Sequence, residues 1–187
     1  MRCNKIKSTL LALAAAVMTL LTQETAAYYS AIGSAVNVIT SGDISAQIIE
    51  KMGDGDFPAE GVYVMPGSVV SKKVSVVNTG GHPFWLRVKL TDAIDDEVLS
   101  SDVLELDLNL QDWIAGSDGF YYYKKPVEPG AETEKLFTQV KIAGNVDSSY
   151  MNKTLKLTVS AYAVQSENNG TSPQNAAGWP AEGGGSV

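Results

Sequence analysis

The sequence has almost no cysteine and almost no histidine, which excludes several classes of function. Of its 187 residues, only Cys3 is a cysteine and only His82 is a histidine. Cys3 lies at the very start of the chain, so the remainder has no disulfide, no thiolate nucleophile and no cysteine metal ligand. A nucleophilic triad or a zinc site would depend on His82 alone, whereas zinc sites usually combine several ligands. We therefore predict no catalytic residue, no metal ligand, no cofactor and no enzymatic activity.

The chain also lacks an excess of positive charge. Its formal net charge is −7 and its sequence pI is about 4.7. Three cations and one glutamate in the first 27 residues account for +2, which leaves −9 on the remainder. An acidic surface argues against nucleic acid as a partner and against charge-driven binding to anionic membranes. The simplest role of this charge is to keep the protein soluble.

The first 27 residues have the pattern of a removable export signal. A basic start is followed by an apolar run, Leu10 to Leu21, that is too short to span a bilayer comfortably. Thr25 and Ala27 place small residues where a signal peptidase requires them, so we predict cleavage between Ala27 and Tyr28. The product is expected to be secreted and extracellular, without a stable membrane anchor. Association with the cell surface by non-covalent contacts stays open, and an exported chain without cysteine suggests a Gram-positive bacterium.

Most of the remaining chain alternates apolar and polar residues with a period of two, which is typical of strands with one buried face. Gly-containing turns separate these runs. The pattern predicts an all-β domain over residues 28–165, a jelly-roll or Greek-key β-sandwich of two antiparallel sheets. From residue 166 the chain is mostly Asn, Gly, Ser, Pro and Ala, and we predict that 166–187 form a flexible tail. The clearest alternating runs are Val70–Val77, Phe84–Leu90, Leu104–Leu110 and Leu155–Ala161.

Several motifs occur in the order seen in one secreted family. They are Ala27-Tyr28-Tyr29-Ser30, the stretch from Asn37 to Ile44, the turn and strand from Pro66 to Gly80, the tyrosine run from Tyr121 to Lys125, and the ending Ala163-Val164-Gln165. On these motifs the chain resembles the TasA/camelysin-type proteins, whose leaders are cut by the SipW signal peptidase. The resemblance implies a jelly-roll sandwich, a mature chain that begins at Tyr28, and assembly into fibres of an extracellular biofilm matrix.

The segment 28–40 suggests how such fibres would form. It is apolar, uncharged and rich in residues that favour strands, and a chain end of this kind can add as a strand to the exposed sheet edge of a neighbour. Because donor and acceptor surfaces differ, the contact is head-to-tail and need not close into a ring. Whether the segment completes its own domain or a neighbour's stays open. The predicted donor residues are Tyr28, Tyr29, Ile32, Val36, Val38 and Ile39.

Two other functions remain as alternatives. A secreted carbohydrate- or surface-binding module would present exposed, coplanar aromatic rings, because sugars and bases stack on such rings. A camelysin-type metallopeptidase would need carboxylates gathered around His82, although the sequence has no HExxH motif. The candidate platform residues are Trp85, Trp113, Tyr121, Tyr122 and Tyr123.

Overall fold

The computed structural model describes residues 30–40, 44–95 and 98–182. The predicted cleavage site at Ala27 and Tyr28 and the donor residue Tyr29 lie outside the described residues. Within the part of the chain that is described, no helix is long and apolar enough to cross a membrane.

Within these residues the chain folds into strands joined by turns, with two short 3₁₀ turns at Ser148–Tyr150 and Pro173–Asn175. The prediction of an all-β fold is therefore confirmed. The strands are β1 Ser30–Thr40, β2 Ala46–Met52, β3 Gly55–Asp56, β4 Val62–Val64, β5 Val69–Asn78, β6 Phe84–Ile94, β7 Leu104–Leu106, β8 Trp113–Ala115, β9 Phe120–Tyr123, β10 Phe137–Ile142 and β11 Thr154–Gln165.

The strands form two sheets, as predicted. One has six strands in the order β4-β1-β11-β6-β9-β8, and the other has five in the order β3-β2-β5-β10-β7. The strand pairs are antiparallel with one exception, because β1 runs parallel to β11. A tight turn requires the two strands it joins to be antiparallel. β1 and β11 are the first and last strands of the domain and are not joined by a turn, so the chain connectivity does not require them to be antiparallel.

The core lies between the two sheets and follows the predicted alternation. On β5 the residues Val70, Val74 and Val76 are buried, and β6 contributes Leu86 and Val88 to the same cluster. Complete burial of one such side chain stabilises the fold by about 1.5–3 kcal/mol. The odd-numbered residues of β6, beginning with Trp85, face away from this core.

Asn78 fixes the corner that follows β5. Its side chain is buried, and its Nδ2 donates to the carbonyl oxygens of His82 and Val127, each at 2.8 Å. Its Oδ1 accepts from the backbone N–H of Gly80 at 2.9 Å. A Cβ at Gly80 would lie 2.9 Å from the backbone nitrogen of Ser45, so the predicted Gly-Gly turn also needs the small residue. The amide of Asn78 thus serves as the hydrogen-bond partner of three backbone groups in this corner.

The strand predicted for Leu104–Leu110 is shorter in the structure and ends at Leu106. The next residue, Asp107, turns its carboxylate towards β10, where Oδ1 accepts from the backbone N–H groups of Thr138 and Gln139 at 2.8 and 2.7 Å. The pairing of β10 with β5 shifts register at this place. A side-chain oxygen therefore accepts the hydrogen bonds of the irregular part of β10, where a longer β7 would have used backbone carbonyls. Burial acts to raise the pKa of Asp107, but hydrogen bonds from the Thr138 hydroxyl and from these two backbone N–H groups outweigh it, so the pKa is lowered.

Candidate functional site

The predicted donor segment forms an interior strand of its own domain. β1 lies between β4 and β11 in the six-stranded sheet. It pairs antiparallel with β4, from Ser30 opposite Val64 to Ile32 opposite Val62. Its parallel pairing with β11 runs from residue 31 opposite 154 to residue 40 opposite 163. Nearly the whole strand is thus hydrogen-bonded along one edge, and its beginning along both.

Two apolar side chains of β1 that the structure describes face the core. Ile32 is completely buried in the core, and Val38 is partly buried against the same cluster. Of the other predicted donor residues, Val36 pairs with Val159 and Ile39 with Tyr162 through the backbone. β1 therefore supplies backbone hydrogen-bond partners for the edge of β11 and apolar side chains for the core.

The space that β1 occupies, here called the first-strand groove, is shaped closely around Ile32. Gly61, just before β4, has a φ of 82°, which favours glycine. A Cβ at this position would lie 2.3 Å from the carbonyl oxygen of Ile32 and 3.3 Å from the Cα of Gly33. At the start of the strand, Ser30 Oγ donates to the carbonyl oxygen of Tyr150 at 2.7 Å. Sequence reasoning missed Gly61, because only the neighbouring strand shows why the residue is small.

A domain without β1 would be incomplete. The edge of β11 would expose a row of unpaired N–H and C=O groups, and the site of Ile32 would open the core to water. The covalent connection of β1 to the rest of the domain runs through residues 41–45 to β2. After the predicted cleavage before Tyr28, such a strand could be withdrawn or supplied from another copy without threading a loop. The groove is thus chemically able to accept the same strand from either source.

A buried ion pair lies among the core-facing positions of the five-stranded sheet. Lys72 on β5 is completely buried, and its Nζ lies 2.8 Å from Oε1 of Glu50 on β2 and 3.9 Å from the ring centre of Phe57. Burial lowers the pKa of Lys72, and the carboxylate of Glu50 opposes that shift in part. The alternation of the sequence places Lys72 on the same face as Val70 and Val74, but it does not show that solvent is excluded from the lysine side chain.

The aromatic residues proposed as a binding platform divide between two sides of the sheet. Trp113 and Tyr123 belong to the core, where their rings lie 5.0 Å apart at 54°. Trp85 and Tyr122 are buried on the outer side, and Tyr121 is half-buried against the core. These five positions therefore present no exposed coplanar row. The tyrosine run therefore packs within the fold on both sides of the sheet.

The burial of Trp85 and Tyr122 comes from residues 166–182, here called the C-terminal segment. Trp85 Nε1 donates to the carbonyl oxygen of Asn169 at 2.8 Å, and Pro173 is buried. The ring of Trp179 meets that of Tyr122 edge-on, with 6.1 Å between ring centres. Residues 166–182 of the predicted flexible tail thus make these contacts with the sheet, whereas 183–187 lie outside the described residues. Composition misses these contacts because the segment uses an existing aromatic face and needs no core of its own.

His82 lies in the exposed turn after β5, where only its carbonyl oxygen has a described hydrogen bond. Among residues 30–40, 44–95 and 98–182, no group of three or more His, Cys, Asp or Glu side chains could hold a metal ion. The carboxylate cluster that a camelysin-type metal site would require around His82 is not found in that part of the chain.

Searches among protein-family models, curated proteins and solved structures find no match for this chain. The family resemblance therefore depends on the order of the motifs.

Proposed function

We propose that this protein is an exported structural subunit of an extracellular matrix, and that it forms fibres by donating β1 to the first-strand groove of the next copy. The position of β1 supports this proposal most directly. The strand is needed to complete the sandwich, it stands at the beginning of the domain, and it is held by a short connection. A strand with these three properties can complete either its own domain or a neighbour's.

The contacts made by β1 are the same in both cases. A donated strand would pair with β4 and β11 of the acceptor and place Ile32 in the acceptor's core. The balance between the two states then depends mainly on the concentration of neighbouring copies. A closed monomer is the soluble form, and a chain of copies that each donate forward is the fibre.

Processing by a SipW-type signal peptidase fits this scheme. Cleavage before Tyr28 would create a chain end only two residues ahead of Ser30, where β1 begins. Until then the leader would tie that end to the membrane and hinder its transfer to another copy. We therefore propose that cleavage releases β1 for exchange, and that donation occurs chiefly before the strand has closed its own domain.

The experiment that tests strand donation uses a reversible lock. Gly33 and Lys156 are paired across β1 and β11, and a Cβ at Gly33 would meet no atom closer than 3.9 Å. The mature chain has no cysteine of its own, so the double variant Gly33→Cys, Lys156→Cys offers one possible disulfide. It would be compared by electron microscopy and size-exclusion chromatography in its oxidised and reduced forms.

The oxidised variant is expected to stay monomeric because its β1 cannot leave its own groove, and reduction should restore fibres. The single variants Gly33→Cys and Lys156→Cys serve as controls, since each carries one of the changes without the lock. Fibres formed equally well by the oxidised double variant would refute donation of β1. A reduced variant and an unmodified chain that both remain monomeric at high concentration would refute the structural role itself.

A further inference from the structure

The outer side of the six-stranded sheet carries a cation–aromatic surface, here called the outer patch. At its centre, the guanidinium carbon of Arg87 lies 3.9 Å from the ring centre of Phe120 and 5.5 Å from that of Tyr162. The Phe120 and Tyr162 rings meet edge-on at 5.3 Å. An aromatic cluster on the outside of a sandwich would attract other molecules if it were left bare. The members of the outer patch are Arg87, Lys89, Phe120, Tyr122 and Tyr162.

The end of the C-terminal segment covers this patch with a short, specific set of contacts. The ring of Trp179 lies 4.8 Å from the guanidinium carbon of Arg87. Arg87 also donates through an Nη atom to the carbonyl oxygen of Pro180 at 3.4 Å, and Lys89 forms an ion pair with Glu182. The outer patch thus recognises an aromatic ring, a proline carbonyl and a carboxylate in the order Trp-Pro-Ala-Glu.

The two halves of the C-terminal segment are held very differently. The Asn169 amide ties the first half into a closed loop: Nδ2 donates to the carbonyl oxygens of Gln165 and Ala177 at 2.9 and 3.0 Å, and Oδ1 accepts from the N–H of Ala177 at 2.8 Å. From Gly178, whose φ is 73°, to Glu182, the last described residue, no strand pairing holds the chain. The last half is therefore attached mainly by the side chains of Trp179 and Glu182, and Glu182 is itself 52% exposed.

We propose that the outer patch is a docking site between copies, in which Trp179–Glu182 of one subunit occupies the outer patch of a neighbour. The occupant is a segment that this surface already binds within one chain. The chain can pivot at Gly178, and the five residues from 178 to 182 reach at most about 18 Å when extended, so the neighbour's patch has to lie close by. The carboxylate of Glu182 complements two cations on a chain that is otherwise acidic.

Exchange of this kind depends on how close the neighbours are. In a dilute solution of monomers, each outer patch binds the segment of its own chain in preference to that of another copy, because the effective concentration of the tethered segment is high. In an assembly, a neighbouring segment held at similar distance competes on equal terms. This contact would join subunits sideways, and it rests on the proposed function only in requiring copies to lie close together.

The test uses full mature chains with single cysteines beside the contact and not within it. Thr91 is exposed on β6, two residues after Lys89, and Ala181 is exposed between Pro180 and Glu182. A Thr91→Cys copy is mixed with an isotope-labelled Ala181→Cys copy and treated with a short bismaleimide, before and after assembly. Mass spectrometry then counts linked pairs that contain one copy of each kind.

We expect mixed pairs to increase at least several-fold on assembly, and to disappear when the Ala181→Cys copy also carries Trp179→Ala. A Ser149→Cys copy, with its cysteine in the exposed 3₁₀ turn after β10, replaces the Ala181→Cys copy as the control and should give none. Fibres without mixed pairs would show that the segment covers only its own domain, which overturns this docking site and leaves strand donation intact. Mixed pairs that survive Trp179→Ala would also overturn it, whereas mixed pairs in soluble dimers without fibres would support the docking site against the fibre proposal.

Discussion

Replacing Ile32 with alanine is expected to loosen the first strand in the closed domain and in a fibre alike. Ile32 is completely buried and belongs to the core between the sheets. Truncating such a side chain removes its transfer free energy and leaves a cavity, which together cost about 2–5 kcal/mol. We take about 3 kcal/mol for the loss in the free energy of unfolding, which shifts the urea midpoint by roughly 1–2 M.

The matched control is Leu136→Ala. Leu136 is also completely buried in the same cluster but lies just before β10, outside β1. Both variants should lose a similar amount of global stability. Only Ile32→Ala should speed the release of β1, by up to roughly a hundredfold if all of the 3 kcal/mol is lost when the strand withdraws.

Hydrogen exchange at the backbone N–H groups of β11, which β1 covers from residue 154 to residue 163, measures this release in the monomer. Exchange of labelled subunits between preformed fibres measures it in the assembly. Faster subunit exchange in Ile32→Ala fibres than in Leu136→Ala fibres is the expected result. If the two variants exchange subunits at the same rate, β1 does not form the joint between copies. If Ile32→Ala leaves the urea midpoint unchanged, the burial of Ile32 does not stabilise the core.

Further predictions concern the groove, the corner, the buried lysine and the outer patch. Gly61→Ala should destabilise the domain by at least about 2 kcal/mol in urea titrations, because its φ of 82° is strained for alanine and the Cβ would collide with Ile32; an unchanged midpoint would contradict the close approach. Asn78→Ala should cost about 2–4 kcal/mol by the same assay, since it removes the three hydrogen bonds of a buried amide. A loss below 1 kcal/mol would argue that water replaces the amide. Burial lowers the pKa of Lys72 in the folded state, so the unfolded chain binds the proton more tightly. The free energy of unfolding should therefore rise with pH between that lowered pKa and 10.5. Lys72→Met should lack this rise, and parallel curves of stability against pH for the two proteins would refute the burial of a charged lysine. Trp179→Ala should expose Tyr122 and increase binding of a hydrophobic dye while lowering the free energy of unfolding by no more than about 1 kcal/mol, since Trp179 lies on the covered outer face and not in the core. Unchanged dye binding would show that the rest of the segment shields the patch.

The local pattern of the sequence was sufficient for the strands and several turns. Alternation on β5 placed Val70, Val74 and Val76 on one face, because side chains of a strand point to opposite sides in turn. The Pro-Gly pairs predicted turns, and the glycines Gly67 and Gly130 have φ values of 78° and 76°. These features depend on residues that are close together in the chain, so a single sequence contains the information.

The limits of that pattern are visible where a strand depends on a distant partner. Leu108 and Leu110 continue the alternation of β7, yet the strand ends at Leu106 because the side chain of Asp107 satisfies the bulge in β10. Lys72 shares the buried face of β5, but only Glu50 on another strand makes its complete burial tolerable. In both cases the partner of the deciding side chain lies more than twenty residues away in the chain.

The sequence by itself determined that the segment from Ser30 to Thr40 is apolar, uncharged and suited to a strand, and that the chain after Gln165 is polar. Only the tertiary structure decided that this strand lies parallel to β11 in its own domain, and that Trp179 returns to the outer side of the sheet. The physical reason is that composition and periodicity describe what a segment can bury. Which surface buries it depends on groups that folding brings together from the two ends of the chain.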